Sequence, residues 1–179
     1  GNGADVADWE QSKSMISQAI ETWGRLDGLV CNAGFLRDRM LASMSEQEWD
    51  SVIRVHLKGH FAPARHAIDH WRSLAKGGTE VHARIVNTSS GAGLMGSIGQ
   101  GNYAAAKAAI ALLTIQQASE WARYGVKVNA IAPDARTRMT EGIFYSADDV
   151  KAGEFDDKSP DNVSPLVAWL MSPECDITG

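Results

Sequence analysis

The chain has 179 residues, of which 44% are apolar and 22% charged, as expected of a folded globular protein rather than a disordered one. Seventeen basic against 22 acidic side chains give a net charge of -5, which argues against a nucleic-acid-binding surface. No apolar run reaches the roughly 18 residues of a transmembrane helix, and the two cysteines suit a reducing compartment. We therefore expect a cytoplasmic protein that binds neither nucleic acid nor membrane.

Short apolar segments alternate with amphipathic ones, and this alternation predicts an α/β fold built on a parallel sheet. In chain order the predicted elements are a helix at 8–23, a strand at 26–31, a helix at 45–74, a strand at 84–88, a helix at 100–124, a strand at 126–132 and a short helix at 163–171. Ser45 and Glu48 form a capping box at the start of the second helix, and Gly59 and Pro63 predict a bend within it. The acidic stretch 141–160 is expected to be a mobile loop.

Tyr103 and Lys107 are the pair that points most clearly to chemistry. They lie four residues apart on a predicted helix, so their side chains share one face. An ammonium beside a phenol favours the phenolate and lowers a pKa that starts at about 10. A tyrosine tuned in this way exchanges a proton with a substrate oxygen near neutral pH. The same spacing also occurs on ordinary solvated helix faces, so the pair alone leaves both interpretations open.

Small and polar residues follow all three predicted strands. Asn32 and Gly34 come after the first strand, Ser90 after the second and Pro133 after the third. Because ligands bind beyond the carboxyl ends of parallel strands, these residues predict one site that includes Tyr103. There a serine hydroxyl can bind and polarise a carbonyl oxygen, and small residues let the backbone approach a flat ligand.

With these positions in place, the sequence resembles the short-chain dehydrogenase/reductase family. The shared positions are Asn32-Ala33-Gly34, Ser90, Tyr103-x-x-x-Lys107 and Val128-Asn129-Ala130-Ile131-Ala132-Pro133. They occur in the order and spacing of the family and extend over nearly the whole chain. The resemblance implies a Rossmann-type, doubly wound parallel sheet, a nicotinamide cofactor, and hydride transfer between an alcohol and a ketone.

The resemblance also implies the catalytic roles. Tyr103 is the general acid/base, Lys107 binds the ribose hydroxyls and lowers the pKa of the tyrosine, and Ser90 holds the substrate oxygen. His56 stands where most members have an asparagine that completes a proton relay. Two interpretations of His56 remain open: its imidazole, with an ordinary pKa of about 6.5, passes protons, or it is a helix-kink histidine bonded to backbone or water.

Cofactor contacts are implied along much of the chain, at Asp5, Val6, Asn32, Ala33, Gly34, Tyr103, Lys107, Pro133 and Thr137. Asp5 and Val6 match the pair that binds the adenine edge in the family, although an ordinary loop aspartate explains them nearly as well. Asp134 replaces the usual glycine after Pro133, and the following loop is one residue shorter than the common form. No metal site is expected, because no cysteine or carboxylate cluster completes a ligand set with the histidines.

The segments 34–39, 55–59 and 132–140 carry a narrower resemblance. They are similar to the (3R)-hydroxyacyl-CoA dehydrogenase units of peroxisomal multifunctional enzymes type 2 and to bacterial single-domain relatives. This implies oxidation of a 3-hydroxyacyl thioester with NAD, or with NADP as the alternative. The 3-oxoacyl-carrier-protein reductases share much of this sequence and work in the opposite direction. Homodimers or homotetramers that associate through the helix at 100–124 are also implied.

The phosphate-binding loop of the family, Thr-Gly-x-x-x-Gly-x-Gly, does not occur in this sequence. In the family, Asp5 and Val6 would follow the third strand. We therefore expect residues 1–179 to be a single partial domain, truncated at both ends, with strands four to six of the order 3-2-1-4-5-6-7. The strand at 26–31 would then be an exposed apolar edge. A second class of function is a non-catalytic fragment or dimerising scaffold.

A G-x-G-x-x-G run at 91–96 imitates a dinucleotide-binding fingerprint. That fingerprint needs its glycines to turn directly into a helix, so that phosphate meets the helix N-terminus. Here Ser89 and Ser90 intervene, and no acidic residue at a strand end follows about twenty residues on. We expect a substrate-side loop between Ser90 and Tyr103.

Overall fold

The computed structural model describes residues 1–137, 139–140 and 155–179. The strands are β1 (Gly28–Cys31), β2 (Ala83–Thr88) and β3 (Val126–Ile131). The helices are α1 (Trp9–Trp23), α2 (Glu46–Ile53), α3 (Gly59–Lys76), α4 (Gly91–Met95), α5 (Gly101–Trp121) and α6 (Ser164–Met171). Short 3-10 helices occupy Leu41–Ser43, Ala122–Tyr124 and Pro160–Asn162. Much of the predicted mobile loop, residues 141–154, lies outside the described residues.

The three strands of the described residues form one parallel sheet in the order β1-β2-β3. Cys31 pairs with Asn87, and Thr88 pairs with Ile131, so the carboxyl ends of the strands meet at one edge. The expected parallel α/β arrangement is confirmed. β1 has no neighbouring strand on its outer side in the described part of the chain, and Val30 within it is 45% exposed.

Helices cover both faces of this sheet. Ile85 of β2 packs in a core with α1, α3 and α5, whereas the neighbouring Val86 packs on the other face with α6. This alternation follows from the two-residue period of a strand. Trp71 of α3, 1% exposed, fills the first core and donates its indole N–H to the backbone oxygen of Leu26 at 2.7 Å. No helix in the described ranges is both long and apolar enough to cross a bilayer.

The segment from α2 to α3 carries His56, a predicted site residue, in the interior. The capping box at Ser45 and Glu48 begins α2 as predicted. The predicted helix at 45–74 is interrupted by a π-helical segment at Arg54–Lys58, which ends directly before Gly59, and Pro63 lies within α3. Such π-turns inside helices are frequent at functional sites. The bend expected at Gly59 and Pro63 stays a prediction.

Candidate active site

The carboxyl edge of the sheet brings the predicted polar residues together. Ser90 follows β2 and caps the N-terminus of α4, where its Oγ accepts a hydrogen bond from the Ala92 N–H at 3.2 Å. The Ser90 hydroxyl also lies near enough to the Tyr103 phenol on α5 to oppose a rise in the pKa of that phenol. The serine and the tyrosine are therefore neighbours at the carboxyl edge of the sheet.

Lys107 lies one turn further along α5 and is 3% exposed. Its Nζ donates to the backbone oxygen of Thr88 at 2.5 Å and lies 5.5 Å from the centroid of the Tyr103 ring. Burial lowers the pKa of Lys107 to about 8. The ammonium is thus held beside the tyrosine at the end of β2, and its charge is sensitive to mildly alkaline pH.

The pKa of Tyr103 corrects one expectation from the sequence. Burial raises it above its ordinary value, the Ser90 hydrogen bond opposes the rise, and the charge of Asp38 adds to it. The expected lowering by Lys107 is not found, because the ammonium is hydrogen-bonded to Thr88 and lies over the ring. In this structure Tyr103 keeps its proton at neutral pH, which is the form that a general acid requires.

His56 lies in the π-helical segment and is buried beside Tyr103. Its Nε2 is 2.8 Å from the Phe35 backbone oxygen and 3.1 Å from the Phe35 nitrogen. Its ring meets the Tyr103 ring edge-on, with 5.1 Å between centroids. Burial lowers the pKa of His56 to about 4, a backbone hydrogen bond to Phe35 opposes this, and the charge of Lys107 adds to it. The contacts are those of the backbone-bonded interpretation, and the ring is neutral at physiological pH.

Gly34 makes room for this histidine. A Cβ on Gly34 would lie 2.1 Å from Cε1 of His56, closer than any real contact. Asn32, Ala33 and Gly34 are exposed at the end of β1. The glycine expected to approach a ligand therefore also accommodates the ring at position 56.

Asp5 and Val6 lie near the π-helical segment. Asp5 accepts from the Ala7 N–H at 2.9 Å and pairs with Arg54 at 2.6 Å. The Arg54 hydrogen bond, followed by that of the Ala7 backbone, holds the pKa of Asp5 below its ordinary value. Val6 contacts Gly59, where a Cβ would lie 2.8 Å from Cγ2 of the valine. Contact of Asp5 and Val6 with a cofactor stays a prediction.

The segment after β3 carries the remaining predicted contacts. Pro133 is half-buried and Thr137 is exposed. Thr137 Oγ1 accepts from the Met139 N–H at 3.2 Å. Asp134, which departs from the family pattern, forms an ion pair with Lys158 at 2.9 Å. Thr137 lies on a turn after β3, and its role in cofactor binding stays a prediction.

The glycine-rich run at 91–96 is part helix rather than loop alone, since α4 occupies most of it. A Cβ on Gly93 would lie 2.6 Å from the backbone nitrogen of Ala108. This glycine therefore allows α4 to pack against α5 next to Lys107. The run lies between Ser90 and Tyr103 in the sequence, and its glycine at position 93 lets α4 pack closely on α5.

Two further residues hold Lys107 and were not predicted. Thr88 accepts from its ammonium, and the Ser89 hydroxyl donates to its backbone oxygen at 2.8 Å. Thr88 ends β2 and Ser89 follows it, so their position at the predicted ligand edge could have indicated them. The ring of His60 also lies against Thr88. Among the described residues, no group of three metal-ligating side chains is found.

A cofactor with a polar diol fits the residues around Lys107. One of the three ammonium N–H groups donates to Thr88, and in the described ranges the other two have no hydrogen-bond partner. The exposed backbone of Asn32–Gly34 ends the neighbouring strand at the same edge. Two unpaired donors of a buried ammonium match the two hydroxyls of a ribose.

Comparisons with known proteins show the family of the chain. The family model described as short chain dehydrogenase matches residues 2–146. The hydroxyacyl-CoA dehydrogenase ChsB1 of Mycobacterium tuberculosis is 50% identical over 171 residues, which cover 94% of this chain and 54% of that protein. The 3-oxoacyl-[acyl-carrier-protein] reductase FabG of Thermotoga maritima is 36% identical, with 95% of this chain and 68% of that protein covered.

A solved structure is similar over its matched part. The crystal structure of a short chain dehydrogenase from Mycobacterium avium has a TM-score of 0.88 and 60% identity, and the match covers 98% of this chain and 58% of that one. The chain spans about half the length of ChsB1 and 22% of the mouse peroxisomal multifunctional enzyme type 2, to which it is 39% identical. The chain belongs to the short chain dehydrogenase family.

Proposed function

We propose that this protein is an oxidoreductase that transfers a hydride between a nicotinamide cofactor and a 3-hydroxyacyl or 3-oxoacyl thioester. The observation that carries the proposal is the contact set of Ser90, Tyr103 and Lys107 at the carboxyl edge of the sheet. The names of ChsB1 and FabG support the thioester class, because both act on acyl groups bound to a carrier.

The cofactor, NAD or NADP, would be held by Lys107, Tyr103 and the exposed backbone of Asn32–Gly34. When bound, a nicotinamide accepts or supplies the hydride. We propose four further cofactor contacts at residues that precede or follow elements meeting near this edge: Asp5, Val6, Pro133 and Thr137. Family resemblance favours NAD.

Proton transfer is the task of the protein. Ser90 binds the substrate oxygen beside the Tyr103 phenol, and Tyr103 gives that oxygen a proton in the reductive direction or takes one in the oxidative direction. The protonated ammonium of Lys107 would bind the ribose hydroxyls of the cofactor. Since burial lowers the pKa of Lys107 to about 8, its positive charge is lost as the pH rises through that value.

The acyl chain has an apolar surface available beside Ser90. Leu94 and Met95 end α4 and Ile98 follows it, and all three side chains are largely exposed. Burying them against an acyl chain would remove apolar surface from water. Oxidation of a 3-hydroxyacyl-CoA is our first proposal, and reduction of a 3-oxoacyl carrier-protein thioester is the alternative.

Association through α3 and α5 is proposed for the oligomer. A groove of about 890 Å³ is lined by α2, the π-helical segment and one residue each of α3 and α5. Its apolar lining includes Ile53, Leu57, Phe61 and Leu113. This groove also favours the second candidate, a dimerising scaffold without catalysis, because such a surface could serve assembly alone.

Calorimetric titration of the 179-residue chain with NAD and NADP separates the two candidates. We expect saturable binding at micromolar concentration, weakened at least tenfold by Lys107→Met and unchanged by Lys76→Met, a matched control at the end of α3. Binding that never saturates, or that is indifferent to Lys107, would support the scaffold. Rates with 3-hydroxyacyl-CoA and with 3-oxoacyl carrier-protein substrates then separate the two enzymatic directions.

A further inference from the structure

His60 is a fully buried histidine outside the set of residues assigned above. It lies on α3 and its Nε2 is 3.4 Å from the backbone nitrogen of Thr88, the last residue of β2. Its other ring nitrogen, Nδ1, has no hydrogen-bond partner among the described residues. A buried polar ring is costly unless it is bonded, so the contact with Thr88 has structural significance.

Both β1 and His60 face the N–H of Thr88. The last pair between β1 and β2 joins Cys31 to Asn87, and the Arg84 N–H donates to the Asp27 oxygen, so this parallel register directs the Thr88 N–H to the Cys31 oxygen. His60 Nε2 is a second acceptor for the same N–H. On the other side, the Ser89 N–H donates to the Ile131 oxygen at 2.7 Å. The histidine thus adds a side-chain contact to the ladder at the end of β2.

The same two residues of β2 hold Lys107. The Thr88 oxygen accepts from Nζ at 2.5 Å, and the Ser89 hydroxyl donates to the Lys107 backbone oxygen at 2.8 Å. Both ends of the lysine are therefore attached to the terminus of β2. Any shift of Thr88 moves the acceptor that fixes the ammonium.

We propose that His60 is a positioning residue for Lys107, which it holds through the backbone of Thr88. The inference rests on the proposed function, in which Lys107 binds the cofactor beside Tyr103. His60 acts only by fixing the backbone of Thr88, whose carbonyl anchors the ammonium. It requires an unprotonated Nε2, with the ring proton on Nδ1.

The protonation state of His60 is compatible with this role. Burial lowers its pKa to about 4, the charge of Lys107 adds to the shift, and backbone carbonyls of His56 and Cys31 oppose it. The ring is therefore neutral over the physiological range, and one nitrogen is free to accept. The next histidine on the helix, His66, contacts the Trp9 backbone oxygen. Of these two histidines, it is therefore His60 that contacts Thr88.

The first test uses the unmodified chain. Nitrogen-15 NMR of the imidazole rings identifies which nitrogen of His60 carries the proton at neutral pH. We expect an unprotonated Nε2, and a proton on Nε2 would overturn the proposal. This measurement needs neither cofactor nor substrate, so it is independent of the proposed function.

The second test compares His60→Leu with His60→Gln, whose amide oxygen can replace Nε2 as acceptor. We expect the Thr88 amide of the leucine variant to exchange with solvent about tenfold faster. The glutamine variant should return exchange to within about threefold of the parent, since a hydrogen bond is restored. His70→Leu, on the same helix, is the control and should leave Thr88 unchanged. Equal exchange in all variants would overturn the proposal.

Kinetics of the enzyme with its cofactor give the functional readout. His60→Leu should lower kcat between about 10- and 100-fold with KM for the acyl substrate nearly unchanged, and His60→Gln should recover most of the loss. A rise in KM with unchanged kcat would contradict a positioning role. If Thr88 exchange changes as expected but Tyr103→Phe retains full activity, the proposed function fails while the His60–Thr88 contact stands.

Discussion

At the scale of single residues, His56 and the buried Lys107 lie beside Tyr103, and a second neutral histidine, His60, lies against Thr88. His56 needs the missing side chain of Gly34, and His60 contacts the last residue of β2. Neither contact is visible as a sequence pattern, since each joins residues more than twenty positions apart. Tyr103, Lys107 and Ser90 were predictable because helical spacing and strand ends bring such residues together by local geometry.

The histidines predict a loss of stability in acid. Their pKa values are about 4 in the folded chain against 6.5 ordinarily, so the unfolded chain binds more protons below pH 6.5. Stability is therefore lost as the pH falls from 6.5 towards 4. At pH 5 the loss is roughly 2 kcal/mol for each histidine.

Urea unfolding at pH 7 and pH 5 measures this loss. His56→Asn and His60→Gln should each reduce the difference in the free energy of unfolding by roughly 2 kcal/mol. His82→Asn, at an exposed position, should leave it unchanged. Equal acid sensitivity in the parent and both buried-site variants would show that these rings are not held neutral by the fold.

At the scale of elements, caps and strands were predictable and the irregular helices were not. Asp8 caps α1 by accepting from the Gln11 N–H, and Gly24 ends it with a positive φ of 72°. The π-helical segment at Arg54–Lys58 was not predicted, and it carries His56, whose ring meets that of Tyr103. The glycines at 91–96 were expected in a loop, and the helix that they form was missed.

The packing of α4 on α5 gives a matched pair of substitutions. In Gly93→Ala the new methyl would lie 2.6 Å from the backbone of Lys107 and Ala108, whereas in Gly91→Ala it would meet only Met95 Cε at 3.6 Å. We expect Gly93→Ala to lower the free energy of unfolding by about 1–3 kcal/mol because of overpacking. Gly91→Ala should change it by less than about 0.5 kcal/mol. Chemical denaturation measures the free energy of unfolding of both variants. Equal losses in Gly93→Ala and Gly91→Ala would contradict the close approach of α4 to α5 at Gly93.

At the scale of the whole molecule, two apolar surfaces are exposed on the described part of the chain. One is the outer edge of β1, and the other is the groove beside α3 and α5. The sequence predicted the exposed edge of β1 from strand order, and family resemblance implied association through the helix at 100–124, which stays a prediction. The match covers 54% of the length of ChsB1, so that relative has further sequence beyond the matched part.

Substitution in the groove tests the proposed association. Phe61 lies in the groove and is 40% exposed, so Phe61→Asp would place a charge in an apolar interface. We expect at least a tenfold rise in the dissociation constant of the dimer, measured by sedimentation. Phe155→Asp, at an exposed phenylalanine outside the groove lining, should have no effect. An unchanged dimer in Phe61→Asp would place the interface elsewhere.

The turnover of Tyr103→Phe shows whether the Tyr103 phenol exchanges a proton with the substrate. The substitution removes only the phenol oxygen, and Tyr124→Phe is the matched control beyond the end of α5. With 3-hydroxyacyl-CoA and NAD, formation of reduced cofactor should fall by about 10²–10⁴-fold in Tyr103→Phe, while NAD affinity stays within about threefold. Turnover of Tyr103→Phe at the parent rate would contradict the assignment of Tyr103 as the group that exchanges a proton with the substrate.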